Sequence, residues 1–89
     1  MKHKLPKTLP GDWLAALKMP SCEGSYETFI VVRASKEKNA YDPFMVHLAY
    51  YMDEGDMRGW TYCHGDYCKT LPEALRSFIK RSPLAEFSA

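Results

Sequence analysis

The sequence predicts an α+β domain with the element order α-β-β-β-α, a three-stranded antiparallel meander whose helices pack on one face. Two segments rich in β-branched and aromatic residues, 27–34 and 44–52, predict neighbouring strands. A third segment, 58–64, alternates Trp60 and Tyr62 with small or polar residues, which is the periodicity of a strand. Helix signals flank these strands on both sides, and they complete the predicted order.

The helix signals are caps followed by apolar residues. Asp12 precedes the apolar segment 13–18 and is a suitable N-cap, and Pro20 ends this predicted first helix. Thr70 and Glu73 have the spacing of a capping box, in which each side chain bonds to the other residue's backbone N–H. The last helix then has apolar residues at helical spacing: Leu71, Ala74, Leu75, Phe78 and Ile79.

The Gly65-Asp66 dipeptide lies between apolar positions and predicts a two-residue hairpin turn. In that geometry Cys63 and Cys68 would face each other with Cα atoms about 4.5 Å apart, inside the range of a disulfide. Two ordinary buried or half-buried thiols are the simpler interpretation. The residues that follow the turn, Tyr67–Lys69, would then add a candidate fourth pairing to the meander.

Length and composition indicate one domain. A chain of 89 residues has too little apolar material for two cores. Its content of 46% hydrophobic and 26% charged residues is ordinary for a globular protein. We expect a mobile basic arm at 1–10, a single domain at 11–82 and a tail at 83–89. The acidic segment 53–56 is the expected loop between the second and third strands.

The cellular compartment is predicted from the absence of targeting and membrane-spanning segments in the sequence. No apolar run follows the basic start, so a secretory signal is not expected, and no segment is long enough to cross a bilayer. The three cysteines, an odd number, argue against a disulfide-built secreted scaffold. We therefore expect a cytoplasmic protein with no membrane partner and no cofactor.

If both helices cover one face of the meander, the other face is open. Alternation places five residues of types suited to recognition there: Arg33, Met45, His47, Tyr51 and Thr61. We expect this face to bind another protein or to form a homodimer, which an edge strand could also mediate. The alternatives are that the basic arm or a loop covers the face, or that it is a mixed wet surface.

Charge distribution raises a nucleic-acid alternative. Residues 1–18 contain four lysines and one aspartate, and the end of the predicted domain is basic as well. A phosphate-binding surface would use the arm together with four residues of the C-terminal helix region: Lys69, Arg76, Lys80 and Arg81. The simpler interpretation is a solvated tail and cations that suit a helix C-terminus, so nucleic acid is the less favoured partner.

Cys63 and Cys68 also raise the alternative of a small zinc or redox domain. Their spacing suits a zinc ligand pair, which His64, His47 or Cys22 would have to complete. A catalytic Cys–His pair is weakly indicated, because strand alternation directs Cys63 and His64 to opposite faces, whereas His47 and Cys63 could share the open face. No phosphate loop, nucleophile elbow or metalloprotease motif occurs, and we expect no enzymatic activity.

Two families resemble parts of this layout. The order α-β-β-β-α resembles that of double-stranded RNA-binding domains, but Thr70–Glu73 occupies the position where those domains carry a lysine cluster. The run from Gly65 through Leu75 is similar to the end of HicB-type antitoxin domains. In size and type the chain looks most like accessory proteins of phages that inhibit a larger host defence complex, as anti-CRISPR proteins do.

Overall fold

The structure is a computed structural model, and it describes residues 9–87. Within this range the chain forms a four-stranded antiparallel sheet followed by a helix, so the predicted α+β class and the antiparallel meander are confirmed. The strands are neighbours in chain order. The elements are β1 (Trp13–Lys18), β2 (Phe29–Ala34), β3 (Phe44–Glu54), β4 (Met57–Cys68), α1 (Leu71–Arg81) and a short 3-10 helix (Pro83–Phe87).

The predicted first helix is wrong, because its residues form strand β1. A helix of six residues is marginal in water, whereas pairing with β2 satisfies the backbone and packs Ala15 and Leu17 against the core. Asp12, the predicted N-cap, instead forms an ion pair with Arg33 at 2.9 Å. Its carbonyl oxygen accepts a hydrogen bond from the Ala34 N–H at 2.9 Å. The order within residues 9–87 is therefore β-β-β-β-α.

The predicted hairpin at Gly65-Asp66 is also wrong. The hairpin between β3 and β4 instead turns at Gly55-Asp56, within the acidic segment 53–56, where Glu54 pairs with Met57 and Gly55 has a φ of 57°. A glycine at the first position of a two-residue loop suits this turn because it adopts a positive φ without steric cost. The segment Tyr67–Lys69 is consequently not a fourth pairing, since β4 runs through to Cys68.

Each edge strand contains a bulge. Opposite His47 of β3, strand β4 has two residues, His64 and Gly65, and His64 has a left-handed φ of 51°. Strand β1 has a similar irregularity next to Trp13, with Leu14 as the extra residue. A bulge shifts the alternation of side chains by one residue, so the face of each position beyond it is reversed.

The core lies between α1 and one face of the sheet. Alternate side chains of the two central strands supply most of its apolar volume, and the end of β4 and the inner side of α1 complete it. The buried members are Ile30, Val32, Val46, Cys68, Ala74 and Phe78.

Helix α1 begins as predicted, because the Thr70 Oγ1 accepts a hydrogen bond from the Glu73 N–H at 3.3 Å. Its apolar stripe is only partly buried. Ala74 and Phe78 are in the core, whereas the outer members of the stripe are each more than a third exposed. These are Leu71, Leu75 and Ile79.

The loop between β1 and β2 lies on the same face as α1. Tyr26 of this loop stacks on Tyr50 of β3 with ring centroids 5.2 Å apart. The Thr28 hydroxyl, which is buried, accepts a hydrogen bond from the Glu23 N–H at 2.8 Å, and the Tyr26 N–H donates to the Glu23 carbonyl oxygen at 3.0 Å. The backbone around Glu23 is therefore fixed by its own hydrogen bonds.

The predicted arm at 1–10 lies outside the described residues except for its last two. The predicted tail, 83–89, is described as far as Phe87, where it forms the 3-10 helix. Within the described part of the chain, no helix has the length and apolar character needed to cross a bilayer.

Candidate functional site

The face of the sheet opposite α1 carries a cluster of aromatic side chains together with one arginine. Both bulges contribute to it, because each directs the neighbouring residues of an edge strand toward this side. We call this surface the aromatic face, and its members are Trp13, Phe29, Arg33, Met45, His47, Tyr51, Trp60, Tyr62 and Tyr67.

The two edge strands contact each other on this face. The rings of Trp13 in β1 and Trp60 in β4 have centroids 4.5 Å apart in an edge-to-face arrangement, and the Trp13 Nε1–H donates to the Tyr62 hydroxyl at 3.0 Å. In a flat sheet these strands would be separated by three strand spacings, about 14 Å. The large rings therefore bridge the central strands and bury Val31 and Ala49 completely beneath them.

Trp60 lies at the centre of the cluster. Besides Trp13 it contacts the rings of Tyr51 and Phe29, with centroids 5.5 and 6.2 Å away. Its Nε1 is buried, and within residues 9–87 it has no hydrogen-bond partner. An unpartnered buried donor is rare in folded proteins and costs stability, which the packing of the surrounding rings must offset.

Arg33 is held from two sides. Its Nε bonds to Asp12 at 2.9 Å, and its guanidinium carbon lies 3.7 Å from the centroid of the Tyr62 ring. Its side chain is 21% exposed, so the charge remains accessible at one edge. Arg33 therefore presents a fixed cation, and little side-chain entropy would be lost if a partner contacted it.

His47 lies beneath the aromatic rings, where it is buried. It contacts Tyr62 and Tyr67, each with ring centroids 5.6 Å from its own, and Gly65 passes directly against its imidazole. Burial lowers the pKa of His47 below its ordinary value, and the charges of Arg33 and Arg81 act in the same direction. The imidazole is thus neutral at physiological pH.

Because the pKa of His47 is lower in the folded state, the unfolded chain binds a proton more readily as the pH falls. We therefore expect the free energy of unfolding to decrease as the pH falls below about 6.5. Urea titrations of the wild type and His47→Gln between about pH 8 and pH 5 measure this effect, and the difference between the two proteins isolates His47 from other histidines. A difference that stays constant across that range would contradict the expectation.

The structure brings together four of the five residues that alternation placed on an open face. Arg33, Met45, His47 and Tyr51 share the aromatic face. Thr61 does not, because it pairs with Tyr50 and lies on the side of α1.

Sequence reasoning did not assign Trp13, Trp60, Tyr62 or Tyr67 to this face. The turn at Gly55-Asp56 is the signal that would have placed Trp60 and Tyr62, because it fixes the register of β4 against β3.

The four residues of the nucleic-acid alternative have different surroundings. Arg81 binds the bulge in β4, where it donates to the His64 carbonyl oxygen at 2.6 Å and to the Asp66 carboxylate at 2.9 Å. Lys69 lies over the ring of Tyr41, 4.5 Å from its centroid. The remaining two, Arg76 and Lys80, are exposed on α1 beside Ile79 and Ala85.

The three cysteines, all within the described residues, are free thiols. The predicted closeness of Cys63 and Cys68 is wrong, because the strand continues between them and they pair with different residues of β3, Leu48 and Phe44. Burial raises the pKa of both thiols. Cys63 also lies on the side of α1, so it shares no face with His47 and the suggested Cys–His pair is not formed.

The helix α1 and the bulge in β4 are tied together at Asp66. Its carboxylate accepts hydrogen bonds from the Ser77 hydroxyl at 2.7 Å and from Arg81, and both hydrogen bonds lower the pKa of Asp66. A second group of polar side chains occurs beside this bulge, where Glu23, Cys63 and His64 lie close together.

Comparisons with known proteins give no relative to which the chain could be assigned. It matches no protein-family model, no curated protein and no solved structure.

Proposed function

We propose that the protein is a non-enzymatic protein-binding module that contacts its partner through the aromatic face. The observation that carries the proposal is a row of four residues that crosses all four strands in register. Trp13 pairs with Arg33, Arg33 with Met45, and Met45 with Tyr67. All four residue types are enriched at protein interfaces, and tryptophan, arginine and tyrosine are also enriched in hot spots.

Exposure and rigidity support the use of this row. Tyr67 is 62% exposed, and the other members are each partly exposed. Arg33 is fixed by the Asp12 carboxylate, which precedes β1, and Trp13 by the Tyr62 hydroxyl of β4, so their conformations are set before binding. Preorganised rings and a preorganised cation lose less entropy on association than mobile side chains do.

A cleft of about 380 Å³ adjoins the row. Arg33 and Met45 form one wall, and Lys36 and Glu37 of the loop between β2 and β3 form another part of the lining. A partner that packs on the row could therefore place a polar side chain between charges of both signs. This combination of an aromatic centre and a charged rim is the anatomy of a protein interface.

The test is a pull-down from a lysate of the native host, with and without nuclease, using the wild type and matched variants. We expect a protein to be retained after nuclease treatment, and Tyr67→Ala and Met45→Asp to abolish its retention while the melting temperature shows that they remain folded. Met57→Asp, which changes a side chain that is 62% exposed in the β3–β4 hairpin, is the control and should retain the partner. Equal retention by all three variants would contradict the proposal.

A narrower form of the proposal is an accessory inhibitor of a larger host complex. It predicts that the retained protein is a subunit of such a complex and that the wild type, but not Tyr67→Ala, lowers the activity of that complex.

A nucleic-acid role would depend on Arg76 and Lys80, since Lys69 and Arg81 already contact groups of this chain. Retention that disappears with nuclease and weakens steeply with salt would favour that role instead.

A further inference from the structure

We propose that Glu23, Cys63 and His64 form a binding site for a single zinc ion. Their ligand atoms, a carboxylate oxygen, a thiol sulfur and an imidazole nitrogen, all lie within 4.8 Å of one another. The site lies where the loop between β1 and β2 meets the bulge of β4. It is separate from the aromatic face, and the proposal does not depend on the proposed function.

The distances are close to those of a bound metal. Ligand atoms about 2.0–2.3 Å from a tetrahedral zinc ion are about 3.5 Å from each other. The three donors, which lie within 4.8 Å of one another, must therefore approach one another by up to about 1.3 Å. His64 is exposed, and Glu23 and Cys63 are half-buried, so adjustment of their side-chain torsions can supply this movement without moving the sheet.

The bulge is what brings two of the ligands together. In a regular strand consecutive residues point to opposite faces, which would separate Cys63 from His64. His64 instead has a φ of 51°, a left-handed conformation that is unfavourable for any residue with a Cβ. Residues held in such conformations are concentrated at functional sites, and bulges commonly redirect a side chain there.

Hydrogen bonds from α1 hold the bulge in this shape. Arg81 donates to the His64 carbonyl oxygen at 2.6 Å, which fixes the backbone from which the imidazole projects. Its positive charge would oppose a bound cation, but it is paired with the Asp66 carboxylate at 2.9 Å. Arg81 therefore positions His64 without leaving an unpaired charge beside the metal.

The backbone at Glu23, the third ligand, is also held in place by hydrogen bonds. The Glu23 N–H donates to the buried Thr28 hydroxyl at 2.8 Å, and the Glu23 carbonyl oxygen accepts from Tyr26 at 3.0 Å. A metal that binds Glu23 together with Cys63 would join the loop to the edge of the sheet. All three side chains are thus supplied by segments whose backbone geometry is already determined.

The chemistry of the three ligand atoms indicates which metal the site would bind. A thiolate and an imidazole favour zinc over magnesium or calcium, which prefer sites built of oxygen ligands alone. Three protein ligands leave a fourth position for water or for a donor from another molecule. The set also differs from the Cys63 and Cys68 pair that the spacing in the sequence suggests, because Cys68 lies in the core beneath α1.

The experiment is a titration of the untagged full chain with Co²⁺, a spectroscopic substitute for zinc, under reducing conditions. We expect one Co²⁺ per chain, a thiolate-to-cobalt charge-transfer absorption, and displacement by equimolar Zn²⁺. Cys63→Ser should abolish the charge-transfer absorption. His64→Gly should weaken binding by more than the roughly 10- to 100-fold that is lost when a group outside the ligand shell is removed.

Two of the variants distinguish the loss of a metal ligand from a loss of folding. Glycine adopts a φ of 51° without strain, so His64→Gly should keep the melting temperature of the metal-free protein and its loss of binding cannot be attributed to unfolding. Cys68→Ala is the matched control and should bind Co²⁺ as the wild type does. No charge-transfer absorption in the wild type, or one that survives in Cys63→Ser or disappears in Cys68→Ala, would overturn the proposal.

Discussion

Replacing Trp60 with alanine is expected to lower the free energy of unfolding by about 3–5 kcal/mol. Trp60 contacts the rings of Trp13, Phe29 and Tyr51, so the change removes the centre of the aromatic face and leaves a cavity above β2 and β3. Small domains have total stabilities of about 5–15 kcal/mol, so this loss would be a large part of the whole. Urea denaturation followed by tryptophan fluorescence and circular dichroism measures the change.

Two further variants test the reason for this loss. Trp60→Phe retains a ring and removes the buried Nε1–H that has no partner within the described residues. It should therefore lower the free energy of unfolding much less than Trp60→Ala does. Phe87→Ala is the control, because Phe87 is 79% exposed and its removal should change stability by less than about 0.5 kcal/mol. Equal effects of Trp60→Ala and Phe87→Ala would contradict the packing described for the aromatic face.

Gly65→Ala is the second substitution with a large expected effect. It should lower the free energy of unfolding by about 1–3 kcal/mol. A Cβ at this position would collide with the His47 Nε2, because it would lie far inside van der Waals contact. The imidazole cannot easily move away, since it is buried and packed against Tyr62 and Tyr67. Denaturant unfolding of the variant measures the loss, and Gly11→Ala is the control because open space surrounds its added Cβ.

A double-mutant cycle separates this contact from other effects of the glycine. In a His47→Ala background the added methyl group no longer meets an imidazole, so Gly65→Ala should be far less costly there. The expected coupling free energy is about 0.5–3 kcal/mol, with the double variant more stable than the sum of the single effects predicts. Additive effects would show that Gly65 is required for a reason other than the contact with His47.

The sequence predicted those elements whose local pattern is compatible with only one type of secondary structure. The β-branched and aromatic content of β2 and β3 predicted both strands, and the capping box predicted the start of α1 at the observed residue. The segment 13–18 was ambiguous, because its apolar residues suit either a short helix or a strand. Only pairing with β2, a tertiary interaction, decides between these structures.

The candidate site was less predictable, because it depends on register. Gly55-Asp56 and Gly65-Asp66 carry the same turn signal, but of these two only Gly55-Asp56 forms the turn of a hairpin. At Gly65 a Cβ would collide with the His47 imidazole. Beyond each bulge the alternation of faces reverses, and a bulge in an edge strand has no reliable local pattern. The proximity of Cys63 to His64 therefore follows from the structure, whereas alternation in the sequence predicts the opposite.

The contact between β1 and β4 across the aromatic face restricts how the sheet can move. Trp13 and Tyr62 are 49 residues apart in the chain, and their hydrogen bond joins the first strand to the last. Edge strands ordinarily open locally at low free energy, because they are paired on one side only. Here β1 cannot separate from β2 without withdrawing Trp13 from Trp60 and Tyr62, so its opening is coupled to the disruption of the aromatic packing over the whole sheet.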